Sequence, residues 1–140
     1  MILPFFSSKP TWPNGLAIVR VLVGVLIMKY GSVIFDRAQM VKEVDYFGSH
    51  LHLPAPLLMV YLAKGTEFFG GLLLASGLFT RGATLLLIIN MTVATFFANR
   101  GAIFGDGERS FLYLLFFLVF FFAGAGKWSL DHWLSNRGKW

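Results

Sequence analysis

The sequence predicts an all-α fold, a transmembrane four-helix bundle with antiparallel, up-down-up-down topology. Of the 140 residues, 56% are hydrophobic and 14% are charged, whereas soluble domains carry about 25% charged residues. The apolar residues form four runs, each close to the ~20 helical residues that cross a bilayer. Within these runs apolar and polar residues do not alternate, which favours helices over a β-barrel. Lipid must therefore supply the apolar environment, and a soluble enzyme is excluded.

The predicted helices cover about residues 16–35, 57–79, 82–98 and 110–126. Asn14-Gly15 precedes the first helix, and Pro54-Ala55-Pro56 precedes the second, where proline fits the first turn. The short turn Thr80-Arg81-Gly82 requires the second and third helices to form an antiparallel hairpin. The glycine-containing stretch 99–108 is expected to be a loop before the fourth helix.

The whole chain, residues 1–140, is expected to form one membrane domain. Residues 1–8 lack a basic segment and a small-residue cleavage motif, so the first helix is expected to be retained rather than removed as a signal peptide. Residues 128–140 contain Trp128, Trp133 and Trp140 and are expected to form an interfacial tail.

The distribution of Lys and Arg predicts a bacterial inner-membrane protein with both termini in the cytoplasm. The side of the termini would hold one more basic residue than the other side, and its bases lie close to the ends of the spans. The bases assigned to the cytoplasmic side are Lys9, Arg81, Lys127, Arg137 and Lys139, and those outside are Arg37, Lys42, Arg100 and Arg109.

Several classes of site are excluded by composition. The chain has no Cys, which excludes disulfides, Cys-ligated zinc and iron–sulfur clusters. The net charge of +5 arises from bases scattered singly between apolar runs, so no nucleic-acid surface is expected. His50 and His52 have no evident third ligand, and no metal site is predicted.

Charged side chains inside the predicted spans are the strongest candidates for a functional site. Each charge near a helix centre costs at least ~2.5–3.5 kcal/mol, so Arg20, Lys29, Lys64 and Glu67 are expected to be paired or hydrated. Lys64 and Glu67 share one helix face, and helical rise places Asn90 level with Glu67. We therefore expect Arg20, Glu67 and Asn90 to form a central polar cluster, with both lysines nearer the outer side.

Two interpretations of this cluster remain open. In the structural one, Arg20 and Glu67 form a buried ion pair that fixes helix packing, and the lysines extend toward the headgroups. In the functional one, three bases face one acid, and an anion or a polar electron carrier completes the site. Tyr30 and Tyr113 lie toward the outer boundary, either as interfacial anchors or as ligand-lining residues.

Over residues 14–134 the chain resembles the DoxX family of small four-helix membrane proteins. The resemblance depends on Arg20, on the stretch from Lys64 to Arg81 that begins Lys-Gly-Thr-Glu-Phe-Phe-Gly-Gly, and on the closing stretch Gly124-Ala125-Gly126-Lys127-Trp128-Ser129-Leu130-Asp131. Members often have His-Gly near the end of the first helix, where this chain has Tyr30-Gly31. A role for that His is therefore not transferred.

The resemblance implies an association with membrane redox processes, because some relatives are similar to a subunit of thiosulfate:quinone oxidoreductase. The first hypothesis is accordingly an accessory or quinone-linked subunit, with quinone as the ligand and an oxidoreductase partner subunit. The alternative is a non-enzymatic scaffold or a lipid- or small-solute-binding protein. Membrane lipids are expected partners in both cases, and a homo-oligomer remains open.

Overall fold

The computed structural model describes residues 14–137. The predictions for residues 1–8, for Lys9 and for the last three residues of the interfacial tail, including Lys139 and Trp140, lie outside the described residues.

The described part of the chain is all-α and contains no strand. Its α-helices are α1 (Gly15–Gly31), α2 (Arg37–Asp45), α3 (Pro56–Ser76), α4 (Thr80–Thr92), α5 (Glu108–Ala123) and α6 (Leu130–Arg137). A 3-10 turn extends α1 through Ser32–Phe35, and π-helical turns follow α2 (Tyr46–His50) and α4 (Val93–Ala98).

Three segments are long and apolar enough to cross a membrane, Gly15–Phe35, Pro56–Ser76 and Thr80–Ala98. Large apolar side chains on their outward faces, such as Leu22, Leu62 and Leu86, are more than half exposed. A soluble monomer rarely exposes so much contiguous apolar surface, whereas acyl chains would cover it. The chain is therefore a membrane protein with several apolar helices.

Glycine sets two helix ends that differ from the predicted boundaries. The second predicted helix reached residue 79, but α3 ends at Ser76 because Gly77 adopts a left-handed conformation with φ +72°. The fourth was predicted to reach residue 126, but α5 ends at Ala123 before Gly124, where φ is +77°. In both places a positive φ, which glycine adopts without steric cost, stops the helix.

The segment between the first two spans contains a short helix that is not among the four predicted ones. This helix, α2, begins after Asp36, and the Asp36 carboxylate accepts hydrogen bonds from the backbone N–H groups of Ala38 and Gln39. Such a cap satisfies amide groups that the first helical turn leaves free. The helix is short and largely polar, so hydropathy did not reveal it.

Glycine also brings the backbones of α1 and α3 together. A Cβ atom on Gly24 would lie 2.7 Å from the carbonyl oxygen of Gly71, and Gly31 abuts the backbone of Phe68. Small residues allow such close approach of membrane helices. Because residue 24 faces 71 and residue 31 faces 68, α1 and α3 run in opposite directions.

The remaining long helices continue this packing. Gly70 of α3 contacts Leu87 of α4, and Thr95 donates a hydrogen bond to Ser110 at the start of α5, with an Oγ1–Oγ distance of 2.8 Å. The core between the helices consists of buried apolar residues, namely Val23, Ile27, Leu74, Leu87, Met91, Leu114, Phe117 and Phe120. We call the end with the 32–55 and 99–107 connections the loop end, and the end with the 77–79 turn the turn end.

The closing Gly-x-Gly-x-x-Ser-Leu-Asp stretch folds back onto the turn end. The Asp131 carboxylate accepts hydrogen bonds from the backbone N–H groups of Phe79 at 2.7 Å and Thr80 at 2.9 Å, at the start of α4. The backbone N–H of Asp131 donates to the carbonyl oxygen of Gly77 at 3.0 Å. This stretch therefore caps α4 and holds the α3–α4 turn.

Replacing Asp131 with alanine is expected to lower the free energy of unfolding by about 1–2 kcal/mol, because two helix-terminal amide groups lose their acceptor. Asp131→Asn should lose less, since its amide oxygen can still accept one bond. Thermal unfolding in detergent micelles measures both, with His132→Ala on the neighbouring exposed position as the control. Equal melting of Asp131→Ala and wild type would contradict the capping role.

Candidate functional site: a polar cavity at the loop end

A cavity of about 710 Å³ opens between α1, α3, α4 and α5 at the loop end. Its apolar wall includes Ile27, Met91 and Leu112. Its polar and charged lining residues are Tyr30, Lys64, Glu67, Asn99, Asp106, Glu108, Arg109, Ser110 and Tyr113. The cavity combines an apolar wall with hydrogen-bonding groups, which is typical of small-molecule sites.

Glu67 is the deepest acidic group of this cavity and is only 8% exposed. Its Oε2 atom lies 3.3 Å from Nζ of Lys64, one helical turn earlier on the same face of α3. Asn90 of α4 donates from Nδ2 to Oε1 of Glu67 at 3.4 Å and to the carbonyl oxygen of Ala63 at 3.4 Å. The contact between Glu67 and Asn90 that equal depth predicted is therefore present.

Two tyrosines, one from α1 and one from α5, line the cavity. The rings of Tyr30 and Tyr113 meet edge to face, with centroids 6.1 Å apart. Tyr113 stacks on Phe117 with centroids 6.0 Å apart, and the guanidinium of Arg109 lies 5.2 Å from the centroid of Tyr30. Aromatic and cation–π contacts of this kind hold the rings in place.

Arg20 is not part of this cluster, so the predicted pairing of Arg20 with Glu67 was wrong. Arg20 is 2% exposed and lies at the turn end. Its Nε atom donates to the carbonyl oxygen of Leu74 at 3.0 Å. Its two terminal nitrogens donate to the carbonyl oxygen of Trp128 at 2.7 Å and to that of Ala125.

Arg20 misses Glu67 because of the relative height of α1 and α3. Arg20 is level with Leu74, which is seven residues, or about 10 Å of helix, beyond Glu67. At that height the guanidinium meets carbonyl groups beyond the end of α5. A guanidinium carries five N–H donors, so several carbonyls satisfy it without a carboxylate acceptor.

Lys29 does not approach Glu67 either. Its side chain is exposed, and it is not among the residues that line the cavity. The prediction that three bases face one acid is therefore wrong for this site. The cavity instead contains two bases, Lys64 and Arg109, and three acids, Glu67, Asp106 and Glu108.

The structure adds cavity residues that sequence reasoning missed. Asn99, Asp106, Glu108, Arg109 and Ser110 come from the loop before α5 and from its first turn. Their signal in the sequence is a polar stretch between two apolar helices, which by itself is typical of any exposed loop. Only the packing of α5 beside α1 and α4 places these residues over Glu67.

The sequence of this chain is similar to a known family and to proteins of two bacteria. The model of the DoxX family matches residues 15–100. An uncharacterized protein of Haemophilus influenzae is 35% identical over 127 residues, which cover 86% of this chain and 90% of that protein. An uncharacterized membrane protein of Mycobacterium tuberculosis is 27% identical over an alignment of 153 positions, which spans 94% of this chain and 93% of that protein. No solved structure matches significantly. The chain therefore belongs to the DoxX family of membrane proteins.

Proposed function

We propose that this protein crosses the bacterial inner membrane four times, with α5 as the fourth span, and serves as a quinone-linked accessory subunit of a membrane redox process. In this proposal both termini are cytoplasmic and an oxidoreductase partner subunit exchanges electrons with the ligand. The observation that carries the proposal is the cavity at the loop end. It combines phenol, ammonium and carboxylate groups with an apolar wall. The short α5 completes its span through Glu108 and Arg109, which extend toward the headgroups.

The residues present fit a quinone ring. The cavity wall offers aromatic surface from Tyr30 and Tyr113 for the ring, and their hydroxyls together with Lys64 offer donors for its carbonyl oxygens. A bound quinone would take up or release electrons together with protons. Glu67 beside Lys64 can hold a proton at its carboxylate, and Asn90 keeps that carboxylate in position.

A second candidate, a lipid- or small-solute-binding protein, is favoured by the charge of the cavity. Its lining carries both bases and acids, and a zwitterionic head group would match both signs. The exposed apolar faces of α1 and α5 would then contact the acyl chains.

Binding of a short-chain ubiquinone or menaquinone to the purified protein tests the first candidate. Tyr113→Phe is expected to weaken binding about tenfold, because one donor is lost. Tyr61→Phe is the matched control, since Tyr61 is exposed on α3 and does not line the cavity. Isothermal titration calorimetry of the protein in lipid nanodiscs measures the affinity of both variants.

Two outcomes would contradict the quinone proposal. One is the failure of wild type to bind either quinone in lipid nanodiscs. The other is equal affinity of wild type and both variants. A phospholipid held between the helices of the purified protein, without quinone binding, would support the second candidate.

A further inference from the structure

The cavity connects a buried acid with the surface of the loop end. Glu67 lies roughly 16 Å along α3 from Pro56 and is 8% exposed, whereas Asp106 and Glu108 of the same cavity are exposed. One cavity of about 710 Å³ therefore reaches from the surface to the Glu67 carboxylate. Since a water molecule occupies about 30 Å³ of liquid, this volume accommodates a continuous chain of waters.

In the opposite direction the described residues close the path. Leu74, Leu87 and Phe117 lie beyond Glu67 toward the turn end, and each is 0% exposed. The cavity at the turn end, about 100 Å³ and lined by Arg20 and Ala17, shares no lining residue with the cavity that contains Glu67. Within residues 14–137, apolar packing therefore separates Glu67 from the turn end.

Several polar and titratable groups surround Glu67. Lys64 of α3 and Asn90 of α4 bond to it directly. Tyr30 of α1 and Tyr113 of α5 line the same cavity, and Glu43 of α2 is near enough to interact electrostatically. Toward the surface follow Glu108, Arg109 and Asp106. The acids and phenols among them both accept and donate protons, so they can connect Glu67 with the bulk water.

We propose that Glu67 is a proton-binding site that water reaches only from the membrane face carrying the 99–107 loop. A hydronium ion at that face transfers its proton to the carboxylate, which gives a neutral carboxyl group and a water molecule. Lys64 then loses its ionic partner and is free to turn toward the cavity. The inference does not depend on the ligand of the cavity; for a quinone, it specifies the face from which the proton comes.

Single cysteines test the one-sided access, because the natural chain contains none. Ala94→Cys places a thiol in the cavity wall, Ala102→Cys marks the exposed 99–107 loop, and His132→Cys marks an exposed position at the turn end. A charged, membrane-impermeant methanethiosulfonate reagent is added to one face of sealed vesicles of known orientation. We expect Ala94→Cys to react from the face at which Ala102→Cys reacts, and His132→Cys to react only from the opposite face.

Three outcomes of the cysteine-labelling experiment would contradict one-sided access. Reaction of Ala94→Cys from both faces, or from the opposite face alone, would overturn the proposal. So would a lack of reaction in vesicles when the same thiol reacts after denaturation. None of these results depends on quinone binding, so the two proposals can fail separately.

Infrared difference spectroscopy tests proton binding itself. Lowering the pH at the loop face is expected to raise a carboxylic C=O stretching band that Glu67→Gln lacks and that Asp45→Asn, a change at an exposed acid of α2, retains. If Glu67→Gln does not fold, Glu67→Asp serves instead, because it should shift the band without removing it. A band that follows only the pH of the opposite face, or that persists unchanged in Glu67→Gln and Glu67→Asp, would overturn the assignment.

Discussion

Replacing Arg20 with alanine is expected to lower the free energy of unfolding by about 3–5 kcal/mol. The substitution removes a buried guanidinium that donates to three backbone carbonyls, those of Leu74, Ala125 and Trp128. The carbonyls at 125 and 128 belong to the stretch that ends in Asp131, so the loss should also loosen the cap on α4. Urea or dodecyl sulfate titration in micelles, followed by circular dichroism, measures the effect.

Two further variants separate the hydrogen-bonding role of Arg20 from its charge. Arg20→Lys keeps one positive charge but cannot direct donors to three carbonyls from a planar group, so we expect it to recover only part of the stability. Lys29→Ala removes an exposed base from the same helix and should leave unfolding unchanged. If Arg20→Ala unfolds like Lys29→Ala, the guanidinium does not hold the turn end together.

The same Gly→Ala substitution is expected to have opposite effects at two positions. At Gly24 the new Cβ would lie 2.6 Å from the backbone nitrogen of Ala75, and a backbone cannot move aside as a side chain can. Gly24→Ala should therefore lower stability by roughly 3 kcal/mol. At Gly65 the nearest atom would be Cδ1 of Ile34 at 4.0 Å. Gly65→Ala should raise stability by up to about 1 kcal/mol, because alanine is the better helix former.

Thermal unfolding of the two glycine variants under identical detergent conditions checks this pair. Size-exclusion chromatography shows whether Gly24→Ala still folds as a single species. A similar change in melting temperature for both variants would mean that α1 and α3 do not approach each other at Gly24.

Hydropathy was sufficient to locate the long helices, because crossing a bilayer requires a long apolar run whatever the helix packs against. The predicted segments 16–35, 57–79 and 82–98 correspond to three candidate spans. The exact ends depended on single residues, as at Gly77 and Gly124, whose positive φ values stop α3 and α5. The short α2 escaped prediction because a largely polar helix of nine residues is too short to stand out as an apolar run.

Contacts within one helix were also accessible from the sequence. Lys64 and Glu67 meet because residues three apart on a helix lie on one face, and the geometry of the helix alone determines this. The equal height of Glu67 and Asn90 was predicted from helical rise along the two spans, and the tight turn between α3 and α4 restricts how far these two helices can slide past each other.

The pattern of amino acids alone thus determined a membrane-embedded, all-α chain, its long helices and the Lys64–Glu67 pair. Only the tertiary structure decided that Arg20 bonds to carbonyls at the turn end and that residues 106–110 cover Glu67. The physical reason is that helical rise and period are intrinsic to the backbone, whereas the sliding of α1 against α3 depends on where small residues such as Gly24 and Gly71 let the two backbones touch. A shift of two turns along that contact changes which groups meet.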